Sequence, residues 1–172
     1  TMRFYVGGLQ KHMKSFLAMT SPTVNSYTRL VRGAWAPTAA TWGVENRTAA
    51  LRVIKGDTKS QRVEFRVGSA DANPYLTAAA NIAAGLDGIN NKIEPEAPVE
   101  GNAYDLQDDL PDRLQLSSNL RDANYAFNRS AVARQYLGDS FVDHFSASRD
   151  WEVREYERSV NDWQLKRYFE II

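Results

Sequence analysis

Cysteine is absent from the 172 residues, which excludes disulfides, thiolate zinc sites and a cysteine nucleophile, and fits a reducing, cytoplasmic setting. Histidine is almost absent. His12 and His144 leave little for a histidine metal site or general base, and each falls in an expected helix as a packing or surface residue. Neither sign of charge is in excess, because 21 Lys and Arg balance 21 Asp and Glu. A chain-wide field for nucleic acid or anionic lipid is thereby excluded, and any anion site must be local. The most apolar run at the start, FYVGGLQKHMKSFLAM, is broken by Lys11, His12 and Lys14; it is too short and too polar to span a bilayer and unlike a signal peptide. A soluble protein with no nucleic-acid or membrane partner is expected. A glycine-rich phosphate loop and an internal repeat are missing too, since GDTKS at 56–60 is too short for the former.

What is present is enough for a real core, with 43% hydrophobic residues in a length that favours one domain, at most two. Residues 3–20 predict a helix with Leu9, His12 or Met13, Phe16 and Leu17 on one stripe. Residues 25–43 are weakly periodic and rich in Gly, Pro, Thr and Trp, which predicts an irregular loop of the kind that carries function. RTAALRVI (47–54) and RVEFRVG (62–68) read as two strands of a hairpin joined through Gly56-Asp57. Residues 71–93 predict a helix capped by Asp71 or Asn73, with Pro74 in its first turn and Gly88 near its end. Its row of Leu76, Ala79, Ala80, Ala83, Leu86 and Asn90 permits close packing on a sheet. Residues 94–112 form a polar connector, and from Ser117 onward two or three helices are expected, with Gly138 as a stop and Asn161-Asp162 as a restart. The fold class is α+β, antiparallel strands backed by helices. Trp151, Trp163 and Phe169 read as core or subunit-contact residues, and the closing DWQLKRYFEII is apolar enough to dock on another subunit or domain.

The candidate chemistry lies in QRVEFRV (61–67). Val63, Phe65 and Val67 alternate with Arg62, Glu64 and Arg66, so one strand face shows Arg, Glu, Arg at intervals of about 7 Å. Such a row is either a salt-bridged surface or a site, because guanidinium forks match carboxylates and phosphates and a glutamate between them stays ionised and able to hold Mg²⁺ or Mn²⁺. Arg29, Arg47 and Arg52 lie in the adjoining loop and strand. Arg47 and Arg52 differ by five positions and point to opposite faces of an ideal strand, so Arg47 is placed just before the strand or at a bulge.

PTVNSYTRL, ENRTAALRV, RVEFR and ANPYLTAAANIAAGLDGI resemble successive motifs of the glutamine synthetase family, in the same order and at similar spacing over residues 5 to about 105. The C-terminal helices resemble it more loosely, although DWQLKRYFEII is similar to the family's C-terminal segment. The resemblance implies that Arg29 grips the carboxylate of the amino-acid substrate, that Arg47 steadies the transferred phosphoryl group, and that Arg52 and Arg62 contact the nucleotide. It further implies that Glu64 is a metal ligand and that Arg66 holds glutamate and its phosphorylated form; Lys59 matches a position near the nucleotide. The implied reaction is ATP-dependent amide formation through a γ-glutamyl phosphate, with Mg²⁺ or Mn²⁺, in a ring-shaped homo-oligomer whose sites lie at subunit boundaries.

One departure concerns the acceptor. Ammonia-using members carry a glutamate in the loop after the NSYxRL motif, where RLVRGAWAP has Trp35. Tryptophan is no base, but it offers a face to an organic amine, and TWGVENRT resembles members that join glutamate to polyamines or other organic amines. The alternatives are a loop-packing Trp35 with ordinary ammonia use, and a non-catalytic member with a structural or sensing role. A second departure is one of extent: the family's N-terminal β-grasp domain and the first part of its catalytic domain are not represented, so residues 1–172 are expected to be the C-terminal portion of a catalytic domain, inactive alone. Tyr104 matches the tyrosine that some bacterial members adenylylate; it reads here as an unmodified loop residue.

Overall fold

Apolar residues at helical spacing fold the opening segment into α1 (Met2–Thr20), which buries Val6, Leu9, Met13, Phe16 and Leu17 along one stripe. The computed structural model describes residues 1–171. After α1 come a single-turn helix α2 (Ser26–Arg29), the strands β1 (Trp42–Val44), β2 (Leu51–Ile54) and β3 (Arg62–Phe65), and the helix α3 (Pro74–Asn90). The rest is helical: a 3₁₀ turn at Gln107–Asp109, then α4 (Leu120–Asn128), α5 (Ala131–Leu137), α6 (Asp139–Arg158) and α7 (Asp162–Tyr168). Among the described residues no helix is long and apolar enough to cross a membrane.

The α+β class holds, with a mixed sheet. β2 and β3 form the expected antiparallel pair, with Arg52 opposite Glu64 and Val53 opposite Val63. β1, in the stretch read as irregular loop, pairs parallel to β2; its three residues are too few to show a period. Opposed residues share a face, so Leu51, Val53, Val63 and Phe65 look to the helices and pack on the core. The other face carries Arg52, Arg62 and Glu64.

The alanine row of α3 packs against α1, not on a sheet. Ala80, Ala83, Ala84, Gly85 and Gly88 are buried, whereas Leu86 is exposed. At the crossing, a Cβ on Gly88 would lie 2.2 Å from the Phe4 carbonyl oxygen, and one on Gly8 would lie 2.1 Å from that of Ala84. Both obstacles are backbone, so Gly88 serves the approach of two helices and not the helix end. Asn73 is the cap, accepting from the amides of Tyr75 (2.9 Å) and Leu76 (3.3 Å) with Pro74 behind it.

Between the same helices, His12 Nε2 meets Asp87 Oδ2 at 2.7 Å. Burial lowers the His12 imidazole below its ordinary value, outweighing the upward pull of Asp87. His144 is exposed on α6.

Four C-terminal helices form where two or three are expected. Arg129 and Ser130 interrupt α4 and α5, with Ser130 capping Ala133, and Gly138 at φ 81° separates α5 from α6. Phe16, Phe127, Phe145 and Phe141 form a run of rings with successive centroids 6.4, 5.3 and 5.7 Å apart, joining α1, α4 and α6. Trp151, Trp163 and Phe169 are 55%, 63% and 80% exposed. They are not core.

Gly88→Ala is expected to lower stability by about 3 kcal/mol through overpacking against backbone, whereas Ile82→Ala on the exposed side of α3 changes it by less than about 0.5 kcal/mol; urea unfolding of both variants checks the contrast. The His12 contribution has a definite sign, since a histidine with a lowered folded pKa supports the fold fully above about pH 6.5 and loses that support as pH falls toward the folded value. His12→Gln therefore flattens the fall in urea midpoint between pH 7 and 5, and an unchanged slope would assign that fall to another group.

Candidate functional site

The sheet register builds the centre of the site. Arg52 opposes Glu64 across β2 and β3, and Arg52 Nη1 donates to Glu64 Oε2 at 3.2 Å. The other Glu64 oxygen, Oε1, lies 3.3 Å from Arg66 Nε. Arg66 continues the strand, its amide donating to Ala50 O at 2.9 Å and its Nη1 to Ala49 O at 3.2 Å. Glu64 thus sits between two guanidiniums, half-exposed itself while both arginine side chains are largely covered.

Sequence reasoning missed the second carboxylate. Glu45 Oε2 accepts from Arg52 Nη2 at 2.6 Å, and its Oε1 accepts from the Lys55 amide at 3.2 Å. The Arg52 hydrogen bond is the main cause that holds the Glu45 carboxyl below its ordinary value. Its signal is an acidic residue directly before the NRT turn, seven positions ahead of an arginine on the next strand. The result is an alternating row, Glu45, Arg52, Glu64, Arg66.

Arg47 stands before β2, as its parity requires. The Asn46 side-chain oxygen accepts from the Thr48 amide (2.9 Å) and hydroxyl (2.6 Å), an Asx turn, while its amide group donates to Val99 O (3.1 Å) and Gly101 O (2.8 Å). Asn and Thr in ENRT therefore form the clamp, and Arg47 between them is exposed. It lines a cleft of about 570 Å³ with Glu45, Lys55, Val99 and Glu100. The connector is part of this wall, since Val99 also bonds to Trp42 O (2.8 Å) and the Ala103 amide to Thr48 Oγ1 (2.8 Å).

Arg29 ends α2, and its Nη1 donates to Gly68 O at 3.4 Å, two residues past Arg66. What holds α2 there is Asp71, expected as a possible cap. Asp71 accepts from Thr23 (2.5 Å), Ser26 (3.1 Å) and Ser69 hydroxyls. Burial raises the Asp71 carboxyl, and these donors, Ser69 first, outweigh it and hold the group below the usual range.

The remaining expected residues stand apart. Arg62 is on the same sheet face opposite Ile54, and its Nη1 donates to Ser60 O at 3.1 Å. Lys59 is exposed in the turn that Asp57 organises by accepting from the Lys59 (3.0 Å) and Ser60 (2.9 Å) amides. Trp35 is 72% exposed at φ 56°, in a loop tied to the connector by Arg32, which donates to Asp108 Oδ2 (2.6 Å) and Tyr104 O (3.0 Å). Among the described residues no hydrogen bond or ion pair joins Trp35, Lys59 or Arg47 to the alternating row. The Tyr104 hydroxyl is enclosed, so a modifying enzyme would reach it only after the loop opened.

A divalent metal takes about six oxygen ligands, and Mg²⁺ is often held by one or two carboxylates with water and phosphate completing the shell. Glu64 is an oxygen donor with an open side, and among the described residues no three metal-binding side chains cluster. Glu64 fits such an ion as one ligand of a larger set, which the described residues do not by themselves supply.

Comparison with known proteins identifies the family. Residues 1–168 match the family model described as glutamine synthetase, catalytic domain. The chain is 48% identical over 170 residues to type-1 glutamine synthetase 2 of Dictyostelium discoideum, covering 98% of this chain and 32% of that protein. It is 36% identical over 168 residues to glutamate–isopropylamine ligase of a Pseudomonas species, covering 98% and 36%. A solved GmaS/ADP complex superposes with a TM-score of 0.86 at 33% identity, over 98% of this chain and 39% of that one. The chain thus spans roughly a third of the length of these relatives, and it belongs to the glutamine synthetase family, within the catalytic domain.

Proposed function

We propose that this chain is the C-terminal portion of the catalytic domain of an ATP-dependent ligase that joins glutamate to an organic amine. The observation that carries the reading is Glu64 held between Arg52 and Arg66 on an arginine-lined sheet face. In the proposed reaction the glutamate side-chain carboxylate attacks the γ-phosphorus of ATP and ADP leaves; the ammonium then loses a proton to become the free amine, whose nitrogen displaces phosphate from the acyl phosphate and gives up a second proton as the amide forms. Phosphoryl transfer of this kind depends on positioning and charge neutralisation, which is work for guanidiniums. Arg29 takes the α-carboxylate of glutamate, Arg66 the reacting end, Arg47 the moving phosphoryl group, and Arg52, Arg62 and Lys59 the nucleotide. Mg²⁺ or Mn²⁺ bound in part by Glu64 would neutralise phosphate charge.

Arg52 can take this role beside its carboxylates, since Glu45 and Glu64 use one N–H on each Nη and a guanidinium has five N–H donors.

The acceptor reading rests on Trp35, whose exposed ring stands in the loop next to α2 and suits an alkylammonium by cation–π attraction. The glutamate–isopropylamine ligase among the relatives supports it. Ordinary use of ammonia is the second reading, favoured by the higher identity to a protein named glutamine synthetase. A ring-shaped homo-oligomer is part of the proposal, and the exposed Trp151, Trp163 and Phe169 support it by offering apolar surface for a neighbouring subunit.

The test is phosphate release from ATP by the longer protein that carries this chain, with glutamate and Mg²⁺, across ammonia, alkylamines, polyamines, ethanolamine and anilines. Turnover that needs an organic amine, exceeds the ammonia rate and collapses in Arg66→Ala is the expected result. Trp35→Ala is expected to lower kcat/KM for the preferred amine roughly fivefold, about 1 kcal/mol, and to leave KM for ATP unchanged. Faster turnover with ammonia would select the second reading, and no turnover with any amine would remove both.

A further inference from the structure

Glu45 is costly where it stands. Its φ of 52° lies in the left-handed region that a long non-glycine side chain rarely adopts, and its carboxylate is committed to Arg52 and to the Lys55 amide. The three links of the alternating row are unequal. Glu45 holds Arg52 at 2.6 Å, while Glu64 reaches Arg52 at 3.2 Å, the long end of the hydrogen-bond range, and meets Arg66 only as an ion pair at 3.3 Å. Arg52 therefore leans on Glu45, and a guanidinium cannot relieve an unmatched position by losing its proton. Remove Glu45, and the full charge of Arg52 falls on Glu64.

We infer that Glu45 is a positioning residue that holds Arg52 as its counter-ion and so leaves Glu64 available to a divalent cation. The inference rests on the reading of Glu64 as a metal ligand. Glu45 itself does not touch the metal; it acts through Arg52, as the partners behind metal ligands commonly do.

The experiment is a Mn²⁺ titration followed by electron paramagnetic resonance, on the longer protein without nucleotide or amine. Glu64→Gln first identifies the Mn²⁺ site that depends on Glu64. Glu45→Gln is expected to weaken that site about tenfold, and in an Arg52→Gln background the same substitution is expected to change it less than about twofold. Glu45→Asn, which suits the left-handed backbone, is expected to keep or raise the melting temperature while weakening Mn²⁺ as Glu45→Gln does, separating the grip on Arg52 from support of the fold. An unchanged affinity in Glu45→Gln overturns the inference, as does a tenfold loss that persists without Arg52, which would mark Glu45 as a source of field alone. Mn²⁺ binding that ignores Glu64→Gln would instead remove the reading of Glu64, and this inference with it.

Discussion

Guanidiniums share a sheet face only when carboxylates stand between them. At separations of a few ångströms two uncompensated positive charges on a partly covered surface repel by several kcal/mol, and the sheet face here is arranged around that constraint. The antiparallel register sets Glu64 opposite Arg52, the strand continues to Arg66 on its other side, and the turn after β1 brings Glu45 to the far flank of Arg52. The apolar partners of the same strands, Leu51, Val53, Val63 and Phe65, lock this register from behind, because a slip of one residue would send them to solvent and the charges to the core. The charged row is thus held in place by the helix pair α1 and α3, whose approach depends on Gly8 and Gly88.

The turns do the remaining placement. Asn46 and Thr48 present Arg47 by an Asx turn, and Asp71 gathers three hydroxyls so that α2, with Arg29 at its end, lies beside the end of β3. Arg52 and Arg66 are braced by carboxylates and backbone carbonyls, so this part of the cluster has a defined shape before any anion arrives, which is the preorganisation that charge-stabilising sites require.

The period-two alternation of QRVEFRV and the stripe on α1 were legible because each element's pattern is repeated against a single apolar surface. The resemblance to family motifs supplied the candidate arginines, and their positions on β2, β3 and the preceding turn follow the local pattern. What was not legible depends on partners far away in the chain. β1 is three residues whose pairing is parallel, and the α3 alanines face α1, a choice no local period distinguishes from a sheet. Glu45 and Asp71 lie in turns, where a carboxylate's role is set by the donors that other segments bring. Tyr125, Trp151 and Tyr156 share the spacing of the buried Phe127 and Phe145 yet are exposed, since aromatic spacing alone does not say which side of a helix is covered.

Parallel strands ordinarily need a crossover of a dozen or more residues, but β1 and β2 are joined by residues 45–50 alone. The sharp return at Glu45 and the Asn46 turn make this possible, and Trp42 pairs with Leu51 at a sequence separation of only nine. The entropy of closing so short a segment is small, so this parallel pair belongs kinetically with hairpins and helices and not with the slow, long-range pairings of most parallel sheets. The loop that carries Arg47 is therefore closed locally, while the bonds that fix its shape, from Asn46 and Thr48 to residues 99–103, come from far along the chain.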